Sequence, residues 1–171
     1  MKILSDFRLL LIGLWLGAAC FFIAVAQSAF AVLESREMAG LVVNRTLAII
    51  NYSGLIIGII LLASSFIFKE KTNRFWLWTE RFLLLIITAA CAVGQFIIAF
   101  WLSVIRAQIG RPIDEVALED PLRMSFNTWH QYSLWFLVGA MIAALLVFFI
   151  VSRKNFNNSK EKISKDFDFQ N

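Results

Sequence analysis

The chain has 171 residues, of which 60% are hydrophobic and only 16% charged, with a formal net charge of +4. One domain is expected at this length, and the apolar share exceeds the roughly 45–50% of an average soluble domain. A soluble fold of this size could not cover that much apolar surface, so the excess needs lipid.

The first apolar run spans roughly Leu9 to Val32 without a charge, long enough to cross a bilayer with some tilt. Lys2, Arg8 and Ala24-Val25-Ala26 also fit a secretory signal. The run is longer than the usual signal core of roughly 7–15 residues, so a retained span is expected. Cys20 is followed by more membrane sequence, which argues against a lipid anchor there. Gly13, Gly17, Cys20, Ala24 and Ser28 form a stripe of small residues that would let another helix approach closely. A polar break at Glu34-Ser35-Arg36-Glu37 leads through an interfacial turn to the second run, roughly Leu47 to Phe68. Asn51, Tyr52 and Ser53 interrupt that run, and Gly54-x-x-x-Gly58 is a close-packing pair.

The second loop, Lys69 to Arg74, contains Asn73, a residue able to cap the helix that follows. Trp76 and Trp78 suit the headgroup zone, and Arg81 can extend toward it. The third run covers roughly Phe82 to Ile105, with Gln95 near its middle and Ala90-x-x-x-Gly94 as another close-contact surface. Gly110 is expected to stop this helix. Asp120-Pro121 signals the start of the fourth, with Asp as N-cap and Pro at the first helical position. The fourth apolar run is roughly Tyr132 to Val151, so this helix should project beyond the hydrocarbon. The expected architecture is therefore an all-α, four-helix transmembrane bundle over residues 1–152, followed by a flexible polar tail at 153–171.

Orientation follows from the basic residues near the spans. The N-terminus, the second loop region and the tail carry eleven Lys and Arg, against five in the first and third loops. The positive-inside rule then puts both termini in the cytoplasm. The same distribution assigns the net positive charge to orientation and anionic lipid headgroups rather than to nucleic acid.

Several segments carry a family resemblance. The first span reads Gly17-Ala18-Ala19-Cys20-Phe21-Phe22, and the first loop contains Ala39-Gly40. The third loop reads Arg111-Pro112-Ile113-Asp114-Glu115-Val116 and then Asp120-Pro121-Leu122-Arg123. The fourth helix opens with Phe126-Asn127-x-x-His130-Gln131-x-Ser133. This order resembles bacterial members of the transmembrane protein 205-like family, a domain family of unknown function, over about Phe7 to Val151. The resemblance implies a four-helix membrane domain in a bacterial plasma membrane and supplies no reaction, cofactor or catalytic residue.

Chemistry-bearing residues are few. His130 is the only histidine, and on a helix it would share a face with Arg123 and Asn127. The functional reading is a proton-sensitive or ligand-contacting group. The plainer reading is a histidine bonded to a neighbouring helix or headgroup. The acids of the third loop are expected to pair with Arg106, Arg111 and Arg123. Within the apolar runs the polar residues are Gln27, Asn51, Gln95 and hydroxyls, none charged, which lowers the odds of ion-coupled transport. Arg45, Asn51, Gln95, Arg123, Asn127 and His130 form the candidate polar site, and Gly13, Gly17, Gly54, Gly58 and Gly94 the helix-packing set. No phosphate loop, HExxH or Ser-His-Asp pattern occurs, and no Cys/His cluster. No metal, cofactor or enzymatic activity is expected. The expected partners are membrane lipids and a second copy or another membrane protein. The expected role is accessory or assembly, with a small-solute transporter or channel as the alternative.

Overall fold

A computed structural model describes residues 2–67 and 74–168 of the chain. Five α-helices occur among them: α1 (Lys2–Val32), α2 (Arg36–Ile67), α3 (Arg74–Ala92), α4 (Ala99–Ile109) and α5 (Pro121–Asp168). A π-helical segment, Val93–Ile98, joins α3 to α4, so the two form one continuous third span. The four spans cover Ser5–Val32, Arg36–Phe66, Arg74–Ile109 and Pro121–Lys154. Each is longer than the about 20 residues that cross a hydrocarbon core. An all-helical solution is what lipid demands, because only helices and closed barrels satisfy every backbone group without water.

Neighbours in sequence are neighbours in space. α1 packs on α2, α2 on α3, α3 on α5, and α5 closes the ring on α1, with α4 also lying against α5. This is an up-down-up-down bundle with both chain ends at one end of the barrel. The core takes a narrow stripe from each helix, such as Ile12, Trp15, Ala19 and Phe22 on α1 and Leu84, Ile87 and Cys91 on α3. The remaining apolar faces are exposed, as they must be in a protein whose solvent is acyl chain.

The helix ends obey local chemistry. Gly110 adopts φ +64°, the left-handed cap that glycine takes without a Cβ penalty, and its N–H bonds the Arg106 carbonyl. The Asp120 carboxylate accepts the Leu122 N–H at 2.8 Å, which confirms the N-cap of α5. Arg36 begins α2 directly, so the interfacial turn expected before the second span is the first part of one helix. The Asn73 cap and the second loop at 68–73 lie outside the described residues. α5 does not stop at Ser152 but runs helical to Asp168. No proline or glycine interrupts that stretch.

Two glycines set the helix spacing. A Cβ on Gly54 would stand 2.6 Å from both the Trp15 Nε1 and the Cys91 Sγ, so α2 meets α1 and α3 there by virtue of a missing side chain. A Cβ on Gly58 would collide with the Thr88 hydroxyl. Trp15 is not an interfacial tryptophan. It is buried, and its Nε1–H donates to the Ile50 carbonyl at 3.0 Å. Gly13 approaches the Phe148 ring, whereas Gly17 is exposed with open space around it. The small-residue stripe on α1 is therefore not used beyond Gly13 for packing inside this chain: Gly17, Cys20, Ala24 and Ser28 are all exposed.

Candidate functional site

Charge gathers at two ends of the bundle and polarity at its middle. At the end bearing the chain termini, Glu80 of α3 is fully buried. One carboxylate oxygen accepts from the Arg8 guanidinium of α1 and the other from the Lys154 ammonium of α5. Arg8 is itself buried, and the Lys154 side chain is only 10% exposed. The carboxylate thus ties three helices with two charge-assisted bonds. The fourth is joined beside it. Arg81 donates through Nε to the Ser65 hydroxyl at 3.0 Å and through its terminal nitrogen to the Ser65 carbonyl at 2.6 Å, linking α3 to α2. Its guanidinium also lies 4.1 Å from the Phe66 ring centre. Arg81 therefore bonds α2 instead of simply reaching for headgroups.

These charges lie beyond the apolar runs, whose own polar residues are neutral. Arg8, Glu80 and Lys154 each stand just outside an apolar run, yet the helices continue past the runs and bury all three. The pairings join residues 72 and 74 positions apart. The available clue was Glu80 itself, a lone acid at the start of a 36-residue span among basic neighbours.

In the middle, Asn51 of α2 is buried, with its amide against Gly94, where a Cβ would meet Nδ2 at 3.1 Å. A cavity of about 10 Å³ lies there, lined by Asn51, Cys91, Gly94 and Ser133 among apolar neighbours. Gln95 follows Gly94 in the π segment. Its Oε1 is buried with no hydrogen-bond partner among the described residues, and it is not part of the cavity wall.

At the loop end, Arg123 reaches back from α5 to the Val116 carbonyl and pins the third loop, whose Val116 is buried. Arg36 pairs with Asp114 at 3.4 Å, an exposed contact between the first and third loops. The expected pairing of the loop acids with Arg106, Arg111 and Arg123 is thus replaced, for Asp114, by a partner on α2. The Arg106 guanidinium lies near Gly40 instead. His130 is exposed, its ring parallel to Phe126 at 6.4 Å. Asn127 and Arg45 are exposed as well. Of the six residues of the candidate polar site, only Asn51 lines the cavity. Arg123, Asn127 and His130 belong to the loop end. No group of three His, Cys, Asp or Glu side chains able to hold a metal occurs among the described residues.

Aromatic residues cluster at two levels of the bundle, as expected for a protein whose tryptophans sit at the membrane surfaces. Trp76 and Trp78 stand near the start of the third span. Near the other surface Trp101 stacks on Trp129, with Tyr132 edge-on to it. Trp78 and Trp101 are separated by about 35 Å of helix at 1.5 Å per residue, a fit to a hydrocarbon core of about 30 Å with its interfaces.

These features define a multi-pass integral membrane protein: a four-span helical bundle, ionically fastened at one end and polar at one point of its centre. The chain belongs to the family described as Domain of unknown function (DUF4149), whose profile matches residues 10–111, the first three spans. Neither the curated proteins nor the solved structures contain a match to it.

Proposed function

We propose that this protein is a non-enzymatic accessory or assembly factor of a bacterial plasma membrane, of the transmembrane protein 205-like kind, with both termini in the cytoplasm. It works by side-to-side association in the bilayer, with a second copy or with another membrane protein. The observation that carries this reading is the outward face of α1. Gly17, Cys20, Ala24 and Ser28 are exposed, and a Cβ on Gly17 would meet nothing within 4 Å. Small residues in that pattern allow close backbone approach between membrane helices, and no helix among the described residues covers them. The fastened bundle end supports the same reading, since a pre-ordered surface loses less freedom on binding.

Cys20 lies in the stripe and serves as its own reporter. Oxidative crosslinking in native membranes should trap Cys20 in a covalent dimer or in an adduct with one partner. Gly17→Leu, which has room within the chain, should abolish the product while leaving the bundle folded. Monomer alone in wild-type membranes, or a product indifferent to Gly17→Leu, overturns the proposal.

A second reading is a small-solute transporter or channel, and what supports it is not the exposed His130 at the loop end but the buried Glu80 at the opposite end of the bundle, since ionisable groups inside spans mark transport pathways elsewhere. Flux into proteoliposomes that disappears in Glu80→Gln would favour it over the first.

A further inference from the structure

Many hydroxyls within these spans bond the backbone one turn back, and the buried Ser133 does not. Thr46, Ser53, Ser64, Thr88 and Ser103 each donate to a carbonyl three or four residues back, at 2.7–3.0 Å. That is the usual way a hydroxyl is satisfied inside lipid. Ser133 is buried, with 8% of its surface exposed, and makes no hydrogen bond among the described residues. The Asn51 side chain is buried to a similar degree, at 6%, and makes none either. Both line the cavity beside the π segment, with Cys91 and Gly94. A buried amide or hydroxyl left without a partner costs about 1–3 kcal/mol, so two at one spot call for a shared partner.

Size and chemistry identify that partner. The cavity measures about 10 Å³, the lower limit for about one water molecule. Its polar wall offers an amide with both donor and acceptor, a hydroxyl with both, and a thiol. No charged side chain lines it, which disfavours an ion. The π segment adds to the case. Its wider turn pairs the Ala99 N–H with the Gly94 carbonyl five residues back, and such bulges release backbone groups from the regular ladder.

We infer that Asn51, Ser133 and the π segment form a hydration site that holds one water molecule in the interior of the bundle, hydrogen-bonded to the Asn51 amide and the Ser133 hydroxyl. The water satisfies two polar groups that the helices cannot satisfy and seats the π segment against α2 and α5. This assignment is independent of whether the protein associates through α1.

Cys91 lines the same space and makes the inference testable. The full chain carrying Cys20→Ala has Cys91 as its only thiol. In lipid vesicles transferred to deuterium oxide, infrared absorption of the S–H stretch reports whether water reaches that thiol. The S–H band should convert to S–D while the amide protons of the surrounding helices remain protected. Ser133→Val fills the space and removes the hydroxyl, and it should slow conversion about tenfold, the scale of one lost hydrogen bond. Asn51→Leu is the second variant, with the same expected slowing should Ser133→Val not assemble. A thiol that keeps its proton as long as the neighbouring amides, or a rate unchanged in the variant that folds, overturns the site.

Discussion

The two ends of this bundle use the same kinds of side chain to opposite effect. At the terminal end, Glu80 meets Arg8 and Lys154 out of reach of solvent, and three helices converge on one carboxylate. At the loop end, Arg36 and Asp114 face each other at 3.4 Å with side chains 75% and 48% exposed. The loop-end pair is screened by water and salt and contributes little. The buried cluster has given up hydration, so each member depends on the others. Ion pairs are thus not interchangeable features of a structure. Their surroundings decide whether they fasten helices or merely decorate a surface.

The sharpest way to break this contrast is Glu80→Gln. It removes the carboxylate charge that the buried Arg8 and Lys154 share. Removal of one partner from a buried ionic cluster costs about 3–5 kcal/mol. Denaturant unfolding in micelles should show that loss, and a change below about 1 kcal/mol would place the cluster in the same class as a surface pair. A smaller effect is expected at the loop end from Asp120→Ala, which deletes the N-cap of α5 at a cost of about 1 kcal/mol. Helix fraying there, read by amide exchange of Leu122 to Met124, should accompany it. The smallest belongs to Asp114→Asn. No more than a few tenths of a kcal/mol should be lost at low salt, and nothing measurable at high salt. A salt-independent loss would show that the loop pair is better shielded than its exposure implies.

The distinction between the ends also separates what was legible in the sequence from what was not. The four spans follow from run length and lack of charge, and the Asp120 and Gly110 caps follow from local backbone chemistry. Neither needs knowledge of the rest of the chain. The Arg8–Glu80–Lys154 cluster is of another kind. Each residue alone looks like an ordinary flank of an apolar run, and only packing of α1, α3 and α5 reveals a joint position. Gly17 shows the converse. Its spacing from Gly13 is right for helix contact, but spacing does not say whether the contact is made within the chain or outside it. The π segment left no mark at all. Val93–Ile98 contains no proline, and a wide turn arises from how a span reconciles contacts at its two halves.

That wide turn has a consequence for how the protein tolerates change. In a regular helix one residue corresponds to about 100° of rotation. The π segment takes up one residue more than a regular turn would, so loss of a single residue between Val93 and Ile98 would let the third span become a uniform helix with its second half still facing the same neighbours. The same loss in the regular helix on either side of the segment would swing every later side chain around the axis by about that angle. Lost just before Trp101, it would turn Ile105 out of the core and Trp101 away from Trp129. The wide turn is therefore the place where the third span can shorten by one residue without re-aiming its second half.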